Sequence, residues 1–203
     1  MNIDLIIEIL GFSVGLLYLW WEYHADRRMW IASIIMPCFS LWIYFSKGLY
    51  ADFSINIYYL AIAVYGYIVW TKGNRRHPQE DSKNRKVETP VSITHTPPSM
   101  VAVCIAAAIA LWTLLYLGLN YLTDSTVPVA DAFTTALSIV GMWMLARKYL
   151  EQWLVWIAVD AVSSCLYFYK GIYFYCILYA IYTVIACFGY RKWLRLMSSH
   201  VKA

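Results

Sequence analysis

The pattern with the most chemical content in this sequence is an acidic residue that follows two tryptophans inside an apolar stretch. Trp153, Trp156 and Asp160 are separated by three and four residues, and these spacings place their side chains on one face of a helix. A carboxylate in the middle of such a stretch is costly and by default suggests a function. Aromatic faces beside a carboxylate bind flat cations through stacking, cation–π attraction and ion pairing. The alternative is that Asp160 bonds a neighbouring helix and that the tryptophans only pack.

Further polar and aromatic side chains occur in other apolar stretches at helical spacing. Asn56 precedes Tyr59 by three residues, and Tyr179 precedes Tyr182 by the same interval. Buried amides, phenols and hydroxyls either bind a hydroxylated solute or bond one helix to another, and for Ser138 we prefer the second role. The substrate-binding set that we predict is Trp153, Trp156, Asp160, Asn56, Tyr59, Tyr179, Tyr182 and Ser138.

The sequence contains no recognisable enzyme chemistry. The four histidines lie outside the apolar stretches and do not cluster, so we do not expect a metal site. Neither a phosphate-binding GxxxxGK[ST] loop nor a Gly-x-Ser-x-Gly nucleophile motif occurs. The five cysteines lie inside apolar runs, where they pack as small apolar side chains. We therefore predict no enzyme activity, no catalytic residues, no cofactor and no bound metal.

The composition indicates that most of the chain lies in a membrane. Of the 203 residues, 62% are hydrophobic and 14% charged, whereas a globular domain is about 45–50% apolar and about 25% charged. The apolar residues form continuous runs, as in membrane-spanning helices, and not the alternating pattern of a membrane barrel. A helix needs about 20 residues to cross the hydrocarbon core. We predict seven membrane-spanning helices, over residues 3–21, 29–46, 53–70, 99–122, 129–146, 153–169 and 172–190.

The positive charges indicate how these helices are oriented. Of the 16 Lys and Arg residues, all but Lys47 and Lys170 fall in the connectors after the first, third and fifth spans or at the end of the chain. Cytoplasmic loops carry the excess of positive charge. We therefore predict an inner-membrane protein with its N-terminus outside and its C-terminus in the cytoplasm. We expect the lipid bilayer to be its partner and expect no binding of nucleic acid. Residues 71–98 are predicted to form a flexible cytoplasmic linker.

An internal repeat divides the chain. A shift of 123 residues aligns 30–70 with 153–193 without a gap, and 14 of the 41 aligned residues are identical. A weaker similarity pairs the first span with the fifth, which predicts three helices, one helix and three helices in two parallel repeats, as in transporters that bind substrate near the bilayer midplane. The predicted domains are a first repeat over 1–70, a linker over 71–98, a connecting helix and loop over 99–128, a second repeat over 129–193 and a cytoplasmic tail over 194–203.

Several short motifs, which together cover nearly the whole chain, resemble those of one transporter family. In the second half they are Leu137-Ser138-Ile139-Val140, Arg147-Lys148-Tyr149 with Glu151, the Trp153-x-x-Trp156-x-x-x-Asp160 pattern and Gly171-x-Tyr173. In the first half they are Glu8-x-x-Gly11, Leu49-Tyr50-Ala51 and Tyr65-Gly66-Tyr67. The sequence thus resembles the nicotinamide riboside transporters called PnuC and their relatives for thiamine and other vitamins.

This resemblance implies a fold, a mechanism and a substrate class. The implied fold is an all-α membrane protein related to the SWEET sugar transporters, assembled as a homotrimer. The implied mechanism is facilitated diffusion of a vitamin, with trapping through phosphorylation by a cytoplasmic vitamin or nucleoside kinase. Trp156 and Asp160 would line the substrate pocket, and Asn56 stands where nicotinamide riboside members have Gln. Those members usually have Asn at the position of Asp160, and a carboxylate there shifts the expectation toward thiamine.

We predict nicotinamide riboside as the substrate, with thiamine as the alternative, and two other functions stay open. One is an ion-coupled transporter with Asp160 as its proton carrier. The other is a membrane scaffold without transport, in which the tyrosines only pack. For a transporter we expect the two repeats to rock around a midplane site, with corresponding turns at Gly48 and Gly171.

Overall fold

The computed structural model describes residues 15, 17–46, 50–72, 79–80, 86–87, 92–122 and 127–201. These ranges are helical apart from short turns, the non-helical residues 92–97 and two strands. The strands are β1 (Gln79–Glu80) and β2 (Lys86–Val87), which pair antiparallel within the predicted linker. The helices are α1 (Met29–Ser46), α2 (Tyr50–Lys72), α3 (Pro98–Leu122), α4 (Pro128–Ala146), α5 (Gln152–Tyr169) and α6 (Tyr173–Val201), and residues 17–23 are also helical. Most of the first predicted span, including Glu8, and the predicted Gly48 turn lie outside the described residues.

The ends of the helices follow local sequence signals. α3 and α4 each begin at a proline, whose fixed φ and missing N–H are compatible with the first helical turn. α5 ends just before Gly171, which has a φ of +72°, a left-handed conformation that glycine adopts without strain. α6 continues to Val201, beyond the predicted end of its span at residue 190. The prediction of a helical protein is thus confirmed, with one helix longer than its apolar run.

Four helices in the described part of the chain are long and apolar enough to cross a membrane. They are Phe53–Lys72, Pro98–Tyr121, Pro128–Ala146 and Tyr173–Ser198, which correspond to the predicted third, fourth, fifth and seventh spans. The predicted second and sixth spans form α1 and α5, of 18 residues each. α5 contains two polar side chains that are buried, Gln152 and Asp160. The count of seven spans and the arrangement of three, one and three helices stay predictions.

The chain divides into two compact units, Met1–Val91 and Ser92–Ala203. In the first unit α1 packs against α2, and in the second each helix from α3 to α6 packs against the next one. Val140 and Met144 of α4 form a buried cluster with Tyr149 of the following turn, and Leu111 of α3 and Val155 of α5 pack against it. The helix predicted as a connecting segment therefore belongs to the same unit as α4, α5 and α6.

Both units contain the same packing motif. In each unit a buried tryptophan in the first turn of one helix lies edge-on to a tryptophan of the next helix, with ring centroids 5.7 Å apart. A glycine of that next helix lies against the ring of the first tryptophan. The first tryptophan, its partner and the glycine are Trp30, Trp70 and Gly66 in one unit, and Trp153, Trp193 and Gly189 in the other. Each corresponding pair differs by 123 residues, which is the register of the sequence repeat.

The structural repeat extends further than the sequence identity. The turns that precede α1 and α5 each contain one residue in the left-handed conformation, Ala25 with φ 53° and Lys148 with φ 55°, again 123 residues apart. In both turns the next amide donates to the carbonyl five residues earlier in the chain, at 2.9 and 3.0 Å. The backbone therefore repeats in a segment where the residue types differ.

The end of the predicted linker is attached to the turn between α4 and α5 by backbone hydrogen bonds. The amide of Thr94 donates to the carbonyl of Lys148 at 3.2 Å, and the amide of Leu150 donates to the carbonyl of Thr94 at 2.9 Å. Thr94 therefore has defined backbone partners, although it lies within residues 71–98, for which the sequence predicted a flexible linker.

Glu151 completes this attachment through its side chain. Its Oε2 accepts from the amide and the hydroxyl of Thr96 at 2.8 and 2.7 Å, and its Oε1 lies 2.6 Å from Nδ1 of His95. Burial raises the pKa of Glu151, but the hydrogen bonds from His95 and Thr96 together outweigh burial, so its pKa lies below the usual value. The carboxylate is thus the acceptor that joins the linker to the start of α5.

Candidate functional site

Helix α5 carries the predicted tryptophans and the acidic residue. Asp160 lies midway along α5 and is only 8% exposed, so a carboxylate is enclosed in an apolar part of the unit. Trp156 lies one helical turn before Asp160 on the same face, and Ser163, which is also buried, lies about one turn after it. This face of α5, from Trp156 to Ser163, is the centre of the candidate site.

Trp153 has a different environment from Trp156. It is 1% exposed and lies edge-on to Trp193. A Cβ at Gly189 would come within 2.6 Å of two atoms of its six-membered ring, so the glycine and the indole are in close contact. These packing contacts account for the burial of Trp153, and its predicted role in binding stays a prediction.

Trp156 faces α4 and has an unused hydrogen-bond donor. A Cβ at Gly141 of α4 would lie 3.6 Å from two atoms of its indole, which is ordinary van der Waals contact. The indole N–H is buried and has no hydrogen-bond partner. Because buried N–H groups are nearly always paired in proteins, this donor is a candidate contact for a ligand.

Tyrosines of α6 line the side of α5 that carries Asp160. Tyr167 of α5 stacks on Tyr179 of α6, with centroids 5.3 Å apart and planes at 16°, and on Tyr175 at 5.3 Å and 28°. Tyr182 lies edge-on to Tyr179 at 5.8 Å. Tyr179 and Tyr182 are near enough to Asp160 for its charge to act on their phenols. The structure thus brings three predicted residues together, namely Asp160, Tyr179 and Tyr182.

The remaining predicted residues lie elsewhere. Ser138 is in α4, where its hydroxyl donates to the carbonyl of Thr134 at 2.8 Å within the same helix. Asn56 and Tyr59 are in α2 of the first unit, and Tyr59 lies 5.7 Å from the ring of Tyr58. A shift of 123 residues relates Asn56 to Tyr179 and Tyr59 to Tyr182. The predicted residues of α2 and α6 are therefore equivalent positions of the repeat.

The first unit shows what the same fold looks like without the candidate site. The residues of α1 that correspond to Trp156 and Asp160 are Ser33 and Pro37. The hydroxyl of Ser33 donates to the carbonyl of Met29 at 3.0 Å, and Pro37 is buried. An indole and a carboxylate are therefore not required for this helix pair to form, which favours a functional role in the second unit.

The arrangement can bind a flat cation without forming covalent bonds. It combines a carboxylate, a free indole N–H and stacked aromatic rings, whereas the described residues contain no group of three His, Cys, Asp or Glu side chains placed to hold a metal. Sequence reasoning identified Tyr179 and Tyr182 by their helical spacing. It did not identify the stack of Tyr167 on Tyr175 and Tyr179, because that contact joins two helices.

The apolar helices of the described part of the chain, four of them long and apolar enough to cross a membrane, define a multi-pass membrane protein. The sequence matches the family described as nicotinamide mononucleotide transporter over residues 5–195. The chain belongs to this transporter family.

Curated relatives and a solved structure agree with this membership. The nicotinamide riboside transporter PnuC of Escherichia coli is 27% identical over 208 residues, which cover 93% of this chain and 84% of that protein. The riboflavin/roseoflavin transporter RibM of Streptomyces davaonensis is 30% identical over 134 residues, 66% of this chain and 59% of that protein. The crystal structure of the vitamin B3 transporter PnuC covers 92% of this chain and 80% of its own, with a TM-score of 0.63 and 20% identity, and this likeness establishes the fold.

Proposed function

We propose that this protein takes up nicotinamide riboside across the inner membrane by facilitated diffusion, and that the face of α5 around Asp160 binds the cationic pyridinium ring. The proposal includes trapping of the vitamin by a cytoplasmic kinase, a homotrimer, and an N-terminus outside with the C-terminus in the cytoplasm. Relatives that transport nicotinamide riboside and riboflavin support a vitamin of this general class.

The observation that carries the proposal is the buried Asp160, which lies one helical turn from Trp156 on α5, the helix whose Tyr167 stacks on Tyr179 of α6. A pyridinium ring is flat and positively charged, so it can stack on an aromatic ring while its charge is balanced by the carboxylate. The ribose hydroxyls can donate to the same carboxylate or to neighbouring phenols. Each part of the vitamin thus has a partner of matching chemistry on α5 or α6.

The same carboxylate favours a second candidate, thiamine. The thiazolium ring of thiamine is also a flat cation, and its aminopyrimidine can donate a hydrogen bond to Asp160. Thiamine would depend on the negative charge more strongly than nicotinamide riboside, because the carboxylate would then contact both a cation and an amino group. Replacement of Asp160 by Asn therefore distinguishes the two substrates.

The test is calorimetric binding of both vitamins to the detergent-solubilised protein and to Trp156→Ala and Asp160→Asn variants. We expect nicotinamide riboside to bind, Asp160→Asn to retain binding within about tenfold, and Trp156→Ala to lose about 30-fold, which corresponds to a desolvated cation–π contact of about 2 kcal/mol. Asp131→Asn is the matched control, because Asp131 is a carboxylate of the same unit that pairs with Lys170 at 3.3 Å, away from the α5 face. Its binding should equal that of the wild type.

The outcomes separate the candidate functions. Tight thiamine binding that Asp160→Asn abolishes would make the protein a thiamine carrier. Proteoliposomes that take up neither vitamin would refute the proposal. Uptake that falls when a proton gradient is collapsed would replace facilitated diffusion by proton coupling through Asp160.

A further inference from the structure

Gln152, the first residue of α5, is a fully buried side-chain amide whose hydrogen-bonding groups have no partner. It is 0% exposed, and both its amide oxygen and its amide nitrogen are buried without a hydrogen-bond partner. Burial of an unpaired amide reduces stability, and buried side-chain amides in proteins are normally paired. An unpaired amide at this position is therefore a candidate contact for a ligand.

Gln152 continues the row of side chains that forms the candidate site. Gln152, Trp156 and Asp160 are spaced by four residues, so they share one ridge of α5. The amide of Gln152 and the indole N–H of Trp156 are both buried and unpartnered, and they lie one turn apart. At a rise of about 1.5 Å per residue, Gln152 and Asp160 are about 12 Å apart along the helix, with Trp156 halfway between them. A vitamin of two linked rings can extend over this interval.

The first unit supplies an internal comparison for this row. The residue that corresponds to Gln152 is Met29, which is also 0% exposed and has a side chain of similar length and volume. The whole row of Gln152, Trp156 and Asp160 corresponds to Met29, Ser33 and Pro37. Because the same packing motif forms around an apolar Met29, the fold does not need an amide at this position. The polar row is particular to the second unit.

We propose that Gln152 is a substrate-contact residue, which pairs with the carboxamide of nicotinamide as the vitamin passes between the Asp160 face and the N-terminal end of α5. The side-chain amide of glutamine and a carboxamide each present one donor beside one acceptor, so they form two complementary hydrogen bonds. The aminopyrimidine edge of thiamine presents the same pair of groups. The inference rests on the proposed function, and it adds the residue that recognises the uncharged polar end of the substrate.

The test compares uptake by proteoliposomes of the wild type and of Gln152→Met, the residue that the first unit has at this position. Leu154→Met is the matched control, because Leu154 is in the same helix turn but 48% exposed. The substrates are nicotinamide riboside, the riboside of methyl nicotinate, which keeps the cationic ring but has no N–H donor, and thiamine. We expect Gln152→Met to melt no lower than the wild type and to take up nicotinamide riboside about tenfold more slowly, the effect of one lost pair of hydrogen bonds. Its preference for the amide over the ester should disappear, whereas Leu154→Met should match the wild type.

Two results would overturn the inference while leaving the proposed function intact. One is unchanged uptake and unchanged preference for the amide in Gln152→Met. The other is equal uptake of nicotinamide riboside and of the riboside of methyl nicotinate by the wild-type protein. This second result would count even if Gln152→Met does not fold. If the wild type carries thiamine instead, the same two variants are compared with thiamine, and equal rates overturn the inference. A wild type that carries none of these compounds refutes the proposed function itself.

Discussion

The packing of Gly189 against Trp153 allows a sharp prediction about stability. A methyl group added in Gly189→Ala would come within 2.6 Å of Cη2 and Cζ3 of the indole and within 2.8 Å of Cε3. Ordinary contacts between carbon atoms are about 3.5–4.0 Å, so the ring must move by about 1 Å. Trp153 is 1% exposed and packed against Trp193, which is itself fully buried, so the ring has no free space to enter.

The expected magnitude follows from two opposing contributions. Overpacking of a well-filled core costs about 1–3 kcal/mol. Replacement of glycine by alanine in a helix gains about 1 kcal/mol in helix propensity. Gly118→Ala, in α3, is the matched control, because it makes the same change where a Cβ would meet no atom within 4 Å. Subtraction of the control therefore isolates the overpacking of about 2 kcal/mol, or about 4–8 °C in melting temperature for a chain of this size.

The assay is thermal unfolding of the three proteins in one detergent, followed by loss of the monodisperse peak in size-exclusion chromatography. We expect Gly189→Ala to melt about 4–8 °C below Gly118→Ala. Trp153→Phe in the Gly189→Ala background should recover part of the lost melting temperature, because the smaller ring leaves room for the methyl group. Such a rescue would show that the two sites are coupled, since additive effects do not produce it. Equal melting temperatures for the two alanine variants would refute the close contact on which the reasoning depends.

Three further predictions concern polar contacts of the second unit. Glu151→Gln should lower the free energy of unfolding by about 1–2 kcal/mol, because it weakens charge-assisted hydrogen bonds from Thr96 and His95. The measurement is limited proteolysis, in which residues 92–97 should be cleaved faster than in the wild type. The pKa of Glu151 in the folded protein lies below the usual 4.5, so its contribution to the free energy of unfolding should be complete above pH 4.5 and disappear as the pH falls through the folded-state pKa. If the wild type and Glu151→Gln differ in stability equally at pH 7 and pH 3, this prediction is wrong. Lys170→Ala should change the melting temperature by less than about 2 °C, because its pair with Asp131 is part-exposed and 3.3 Å long; a larger decrease would assign that pair a structural role.

Much of the helical framework could be read from the sequence. The predicted limits 29–46, 129–146 and 153–169 differ from those of α1, α4 and α5 by no more than one residue at either end. These limits were predictable because continuous apolar runs are bounded by charges, prolines and glycines, and each of these is a local signal. α6 was predicted too short because Arg191, Lys192 and Arg195 end the apolar run, although they are good helix formers and the helix continues through them.

The repeat register was also a property of the sequence, since 14 identities at a constant shift of 123 residues need no coordinates to be counted. The continuation of the repeat into the turns at Ala25 and Lys148 could not be read from the sequence, because a backbone conformation can be kept while the residue types change.

The contacts of the individual tryptophans were decided only by the tertiary structure. Helical spacing placed Trp153, Trp156 and Asp160 on one side of α5, and periodicity could say no more, because it describes a helix without its neighbours. Docking of α6 encloses Trp153 against Gly189, and docking of α4 brings Gly141 to Trp156. The attachment of Thr96 to Glu151 joins residues 55 positions apart and left no local pattern to read. Secondary structure and membrane character depend on neighbours along the chain, whereas the partner of a side chain depends on which surfaces of different helices come together.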